Sequence, residues 1–518
     1  MAEEKQRELR VVMIPWLVHG HITPFVELAK SLASNGLKIF FVSTPLNIRR
    51  IKPQICDAPG IELVELAMPS VEGLPPGVES TADAAKTGEA PLLIPLLRAA
   101  MDLLEKPFEA LLRQLSPNVV IHDFAQHWVP PVANPIPAIF FFIMSITSFS
   151  FGVGQLEILP RNPTAQDLIV SPPGFPSQII QRRLFEAERF LNLYQELADG
   201  LSISDRTKIC LRESWAIAFN TCLELEGVYV EYLQRLMKQP VIPVGLLMPK
   251  LPSLPADDIC LKWLDRQPAA SVVVLSFGSE YVLTHQDLTA IAMGMLESSV
   301  SFLWVLPAGN DLLQGFQDQI GILLFKKNWS SIVLISVHHE VICNMVSRSG
   351  AIGEINDEEG VLFSWPHPLF RPWQWFLGGG SLSFLDKGLV VTKWAPQLHI
   401  LNHPSTCAFV THCRWNSMTE GLRFGVPLIT LPMQYEQGLN AKLVQELKVG
   451  VEVRRNEEDG SFTKEDISKA IRVLMIEEEG SQIKSNVTKI SSMLTSNNFE
   501  VTERNMRNFI SMLRTLSK

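Results

Sequence analysis

Residues 9–44, LRVVMIPWLVHGHITPFVELAKSLASNGLKIFFVST, decide the fold class. Leu9–Pro15 is an unbroken apolar run, the pattern of a strand covered on both faces. A loop, WLVHGHI, follows. Thr23 then offers an N-cap, and Pro24 stands at the first helical position. Phe25, Leu28, Ala29 and Leu32 recur at the spacing of one helix face, and Gly36 ends the run. Lys38–Thr44 is the next strand. A strand, a helix and a strand in this compass form a βαβ unit, so the sheet is parallel and the domain α/β.

The same grammar returns beyond a proline-rich stretch, Val241–Asp258, that reads as a linker. Strands are expected at Val272–Phe277, Phe302–Leu306, Leu389–Thr392, Ala408–His412 and Pro427–Leu431. A helix is expected over about Gln286–Glu297. The chain therefore divides into an N-terminal domain over 1–245, a linker over 246–258 and a C-terminal domain over 259–495. A last helix within 496–518 could pack on either domain. Two such domains meet in a cleft, the usual place for a ligand. Residues from about 320 to 385 break the pattern: they are aromatic, irregular and rich in turn signals.

Composition narrows the classes. The 518 residues are 47% hydrophobic and 19% charged, which is globular and large enough for an extensive core. The net charge of −9 argues against nucleic acid or an anionic membrane as a bulk-charge partner. Seven scattered cysteines include no CxxC pair, so neither a zinc knuckle nor a disulfide framework is indicated. The charged start, MAEEKQRELR, lacks an apolar signal core. The greasiest run, Ala138–Gly154, is short of the ~20 residues that a membrane span needs and carries four hydroxyls. It reads as buried strand and loop. A cytoplasmic location is the expectation, with no transmembrane segment and a monomeric state.

The densest chemistry lies in WAPQLHILNHPSTCAFVTHCRWNSMTEGLRFGVPLITLPMQYEQ, residues 394–437. The strand at Ala408–His412 runs into a turn and a helix starting near Asn416 or Ser417. A helix N-terminus at the carboxyl end of a parallel strand is an anion site. His412, Asn416 and Ser417 add donors there, which suits a phosphate. Glu420, one turn on, suits ribose hydroxyls. The residues alone leave a plainer alternative open, since Ser417-x-x-Glu420 also satisfies a capping box. Trp394 can stack on a flat base or can fill a core. Glu436 and Gln437 suit sugar hydroxyls or simply open a helix.

This segment closely resembles the signature box of plant family 1 UDP-sugar glycosyltransferases, in WAPQ, HP, the THC-WNS core, the EG pair, GVP and the closing EQ. WLVHGHITPF, VVIHDFAQHW and LKWLDRQPAASVVVLSFGSE resemble other segments of that family. PWLVHGHITPF, DFAQHW and EQGLNAKL lean toward the branch that extends sugars on existing glycosides. The resemblance implies a GT-B fold: two Rossmann-like, doubly wound parallel-sheet domains facing across a cleft. The nucleotide sugar would lie mainly on the second domain and the acceptor mainly on the first. Trp394 would stack on uracil with Ala395 and Gln397 beside it, and Glu420 would bind ribose. His412, Asn416, Ser417 and Ser279 would hold the diphosphate. Trp415, Glu436 and Gln437 would face the donor sugar, glucose or rhamnose.

Inverting transfer needs an acceptor hydroxyl to lose its proton as it attacks the anomeric carbon, and a neutral imidazole suits that task. By the family's GH pattern the base is His21, with Asp123 orienting the ring as in a triad. A loop-capping His21 and a helix-capping Asp123 are the plain alternatives. No metal or cofactor is expected, because helix N–H groups and His412 can meet the charge on departing UDP. The partners are then a UDP-sugar and a small flavonoid or terpenoid acceptor or its glycoside. Opposed carboxylates for a glycosidase are not found, and GxGxxG is absent after either domain's first strand, which disfavours a nicotinamide dehydrogenase.

Two departures from the pattern stand out. Arg414 occupies a position that is nearly always glycine in the family, where it threatens a strained φ but adds positive charge. The block at about 320–385 enters a short connection between two strands, as a surface insertion or as a retained intron. Together they raise the alternative of a UDP-sugar-binding relative with impaired turnover.

Overall fold

The computed structural model describes residues 8–55, 58–156, 158–197, 199–253, 257–278, 281, 283–306, 323–324, 332–334, 388–391, 394–496 and 498–516. Two sheets organise them. The first contains β1 (Arg10–Ile14), β2 (Lys38–Ser43), β3 (Ile61–Glu65), β4 (Val119–His122), β5 (Ala138–Phe142), β6 (Ala216–Phe219) and β7 (Val241–Pro243). Its order is β3-β2-β1-β4-β5-β6-β7, parallel throughout. The second contains β8 (Val272–Ser276), β9 (Ser301–Val305), β10 (Leu323–Leu324), β11 (Ile332–Leu334), β12 (Gly388–Val391), β13 (Thr406–Thr411), β14 (Leu428–Thr430) and β15 (Gly450–Glu452). Its order is β10-β11-β12-β9-β8-β13-β14-β15, parallel except across β10, β11 and β12.

Each sheet has a point where strand order reverses: between β1 and β4 in the first, and between β8 and β13 in the second. Connections leave such a point in opposite directions, so a crevice opens at the strands' carboxyl ends. The apolar runs read from the sequence are these central strands. Val11, Val12 and Met13 of β1 and Val119, Val120 and Ile121 of β4 are wholly buried, with helices or loops on both faces.

Several boundaries differ from the sequence reading. The first helix begins at His19, not at Thr23, and carries Pro24 inside it. The run after Ala138 is not strand and loop: β5 is followed by a helix, Ile146–Gln155, capped by the Ser145 hydroxyl. Its aromatic side chains pack as a buried cluster, with Phe142 and Phe149 centroids 4.1 Å apart. The first three residues of the proline-rich stretch form β7. The last helix, Asn498–Leu516, inserts Met506, Phe509, Ile510 and Leu513 into the apolar layer beneath β1 and the first helix. Of the block at 320–385, only β10 and β11 are described; its remainder lies outside the described residues.

Candidate active site

Both crevices are lined by residues that immediately follow central strands. His21 follows β1 in the first turn of helix His19–Ser34, and Asp123 follows β4 directly. Thus the two residues flank the reversal point of the first sheet, although they are far apart in sequence. His21 Nδ1 lies 2.7 Å from Asp123 Oδ2. A carboxylate only accepts, so Nδ1 carries the proton and Nε2 is left as the acceptor. Asp123 is fully buried. Its Oδ2 also accepts from the Trp16 N–H at 3.1 Å, and its Oδ1 from the Phe124 N–H at 2.7 Å. These donors fix the carboxylate, and the carboxylate fixes the ring. The neighbouring His122 has a different role: it is buried, with Nδ1 donating to the Asp123 carbonyl and Nε2 facing the Ser214 hydroxyl. Burial pulls its pKa down to about 4, so it stays neutral.

On the second sheet, β13 ends in a sharp turn. Cys413 takes the left-handed conformation, with φ +66°, and its N–H reaches the Thr411 hydroxyl at 3.2 Å. Arg414 then adopts φ −69° and ψ 150° as the residue before helix Trp415–Arg423. The strain anticipated at Arg414 is therefore absent. It sits one residue earlier, because the chain reverses at Cys413 and is already extended at 414. The first helix bond runs from the Met418 N–H to the Arg414 carbonyl, 2.9 Å. The N–H groups of Trp415, Asn416 and Ser417 precede it without an intrahelical acceptor, the arrangement that suits an anion. Ser417 lies inside the helix and does not cap it, so the capping-box alternative fails.

His412 is buried, and burial with the Arg414 charge pulls its pKa down to about 3. Its Nδ1 has no hydrogen-bond partner among the described residues. Its ring abuts Gly278, at the end of β8, where φ is +72° and an added Cβ would stand 3.0 Å from Nε2. The crevice between β8 and β13 is thus closed by a glycine against a neutral imidazole. Ser279 lies outside the described residues.

Further along, Trp394 is 77% exposed, so it is no core residue and offers a free face. Ala395 is half-buried, and its carbonyl accepts the Gln397 N–H. Gln397 Nε2 donates to Glu420 Oε2 at 2.7 Å. Burial pushes the Glu420 carboxyl up to about 7 against that bond. Beyond β14, Glu436 is buried at the start of helix Gln437–Glu446. Gln437 is buried too: its Oε1 accepts from the Met433 and Gln434 N–H groups at 2.8 and 3.0 Å. Its Nε2 has no partner among the described residues.

The two crevices are stitched together. Asn416 Nδ2 donates to the Gly20 carbonyl at 3.2 Å. That carbonyl would bond the N–H four residues on, but the residue there is Pro24, which has none. The proline frees an acceptor on the His21 turn, and the second domain uses it. The Trp415 indole is buried, and Nε1 donates across to the Asn220 carbonyl of the first domain at 2.7 Å. Its donor is thus already committed within the protein. The sequence reading missed Asn220 and Asn440. Asn440 Nδ2 donates to the Cys413 carbonyl at 3.0 Å, and its Oδ1 accepts from the Ser145 hydroxyl at 2.5 Å. The spacing of Glu436 and Asn440, four apart on one helix, is the signal that marks Asn440.

Comparison with known proteins identifies the family and the fold. Residues 7–241 match the family model "Glycosyltransferase, N-terminal domain", and residues 368–504 match "UDP-glucoronosyl and UDP-glucosyl transferase". UDP-glycosyltransferase 91C1 of Arabidopsis thaliana is 32% identical, over 94% of this chain and 92% of its own. Anthocyanidin-3-O-glucoside rhamnosyltransferase of Petunia hybrida is 30% identical, over 98% and 97%. The crystal structure of Glycyrrhiza uralensis UGT73P12 with glycyrrhetinic acid 3-O-monoglucuronide superposes with a TM-score of 0.72 at 23% identity. It covers 98% of this chain and 96% of that one. The fold is GT-B, and the chain belongs to the plant UDP-glycosyltransferase family.

Proposed function

We propose that the enzyme moves glucose or rhamnose from its UDP-sugar to a hydroxyl of a plant glycoside, with inversion. The observation that carries the chemistry is the His21–Asp123 pair at 2.7 Å, joined to the donor-side helix through Asn416 and Gly20. His21 Nε2 takes the acceptor proton as the hydroxyl oxygen attacks the anomeric carbon. Asp123 stabilises the resulting imidazolium. The glycosidic bond to UDP breaks, and the negative charge passes to the diphosphate. There the N–H groups of Asn416 and Ser417, the neutral His412 and, outside the described residues, Ser279 receive it, with no metal required. Trp394 stacks on uracil with Ala395 and Gln397 at its edge, and Glu420 takes the ribose hydroxyls. Glu436, Gln437 and the Trp415 backbone face the sugar; the orphaned Gln437 Nε2 suits a sugar hydroxyl.

The glycoside preference is supported by the Petunia relative's name and by cyanidin-3-O-glucoside 2-O-glucuronosyltransferase of Bellis perennis, 30% identical over 95% of this chain. Among the described residues no helix is long and apolar enough to cross a membrane. We read the enzyme as a cytoplasmic monomer. The test is UDP release with UDP-glucose and UDP-rhamnose on flavonoid and terpenoid glycosides. His21→Ala should cut turnover by about 10²–10⁴-fold, the usual worth of a general base. Turnover that survives in His21→Ala would overturn the assignment.

A further inference from the structure

A second group of polar atoms lies beside the catalytic pair and takes no part in the steps above. Gln126 follows Asp123 by three residues and is fully buried, yet neither end of its amide meets a hydrogen-bond partner among the described residues. The same is true of Arg98 Nε and Trp128 Nε1. Arg98 stands on helix Ala90–Asp102, whose Leu97 and Met101 belong to one buried apolar cluster with Trp16, Leu17, Val18 and Trp128. That helix therefore backs both segments that carry His21 and Asp123.

Charges place the guanidinium more closely. Arg98 interacts electrostatically with Arg206, Asp102 and Asp199 from the first domain and with Tyr435 from the second. Tyr435 immediately precedes Glu436 and Gln437, so the donor side lies within electrostatic reach of Arg98. Arg206 reaches the Ala125 carbonyl and His127 Nδ1, which sets the group against the turn that contains Gln126. Arg206 turns its two terminal nitrogens to carboxylates, bonding Asp102 at 2.8 and 2.6 Å and Asp199 at 2.6 Å. Two carboxylates thus stand with two guanidiniums, and the Arg98 Nε donor is left unpaired in a group without net charge.

Leaving a buried amide unpaired costs free energy, and such groups are ordinarily satisfied. A neutral cluster that offers a donor on Arg98 and both a donor and an acceptor on Gln126 matches vicinal hydroxyls, each of which donates and accepts. It does not match an anion, for which a net positive charge would be needed. We propose that Gln126 and Arg98 form a subsite that hydrogen-bonds the hydroxyls of the sugar already present on the acceptor. This rests on the glycoside preference proposed above.

The test compares a flavonoid 3-O-glucoside with its aglycone, using the full chain and saturating UDP-sugar. Gln126→Leu and Arg98→Met should each lower the ratio of glycoside to aglycone kcat/KM by at least ~10-fold, the worth of a lost hydrogen bond to a buried group. Thermal stability should hold or rise, because an apolar side chain replaces an unpaired polar one. An unchanged ratio, or Gln126→Leu that fails to fold, overturns the subsite. If the wild type acts on glycosides while the ratio is unmoved, only the subsite falls. If the wild type acts on aglycones alone, the glycoside reading falls with it.

Discussion

At the scale of single residues, Arg414 and Glu420 carry the sharpest expectations. Arg414 has an ordinary backbone conformation, so restoring glycine relieves nothing. Its positive charge acts on His412, at the turn proposed to hold the diphosphate. Arg414→Gly should therefore weaken UDP binding several-fold at low salt, with the gap narrowing as salt screens the charge. Titration of UDP into both proteins at two salt concentrations measures this, and tighter binding by the glycine form would refute it. Glu420 links binding to pH. Burial raises its carboxyl from 4.5 to about 7. Between those values the folded chain holds a proton that the unfolded chain has released. This group's contribution to stability thus falls as pH rises from about 4.5 to about 7 and is level above. Ribose hydroxyls donate to the ionised form, so UDP should bind with proton release near pH 6 and more tightly toward neutrality. Calorimetry in two buffers of different ionisation enthalpy should show a buffer-dependent heat that Glu420→Gln abolishes; equal heats in wild type would sink the idea.

At the scale of elements, the loop after β8 and the turn after β13 hold each other in place. Gly278 needs φ +72°, and a Cβ there would press on the His412 ring. Gly278→Ala should lower UDP affinity by at least ~10-fold while most of the fold persists, because a left-handed alanine is strained by about 1–3 kcal/mol and the imidazole must shift. Gly152→Ala, where nothing lies within 4 Å of the new methyl, is the control for a harmless substitution. Equal UDP affinity in the two would show that the contact is slack. The elements themselves were mostly legible: β1, β2, β8, β9, β13 and β14 fall where apolar runs predict them, since a strand buried on both faces leaves that mark. The helix after β5 was not legible, because Phe149 and Phe151 are buried on several sides and leave no periodic stripe. Pro24 misled in a physical way. A proline usually opens a helix, but here the bond it forgoes frees the Gly20 carbonyl, which is used by Asn416 on the other domain. That His21, Asp123 and His412 stand at strand ends could be read because strand ends are visible in sequence, but the roles expected of them came from the family resemblance. Asn440 carried a signal in its spacing from Glu436, but the partners Asn220 and Gln126 carried none, because their significance comes from which atom lies opposite.

At the scale of the whole molecule, the cleft exists only while the two sheets keep their relation, which a shared apolar cluster and a set of polar contacts maintain. Arg183 reaches Glu452 at 2.6 Å, and Lys442 meets the same carboxylate at 2.8 Å. Arg189 donates to the Met433 carbonyl at 2.9 Å, and Arg423 to the Pro249 carbonyl at 3.0 Å. Tyr229 and Ser177 both donate to Glu446. Gly438 allows Glu186 to lie against the second domain with no Cβ between them. Beside the Asn416–Gly20 bond stands the Trp415–Asn220 bond, since Trp415 opens the helix after β13 while Asn220 follows β6. Trp415→Phe keeps the buried ring and removes one donor, leaving the Asn220 carbonyl unpaired at a cost of about 1–3 kcal/mol. That cost is charged to the closed arrangement alone, because an opened cleft hydrates the carbonyl. The closed population should drop, and with it the apparent affinity for every ligand that bridges the domains. UDP-sugar and acceptor KM should thus rise together by several-fold. Affinity for free UDP, held mainly by the second domain, should change less. Limited proteolysis of the 246–258 linker should quicken in parallel. A rise in the donor KM alone, with the acceptor KM and linker cleavage unchanged, would place Trp415 in the donor site and remove it from the seam.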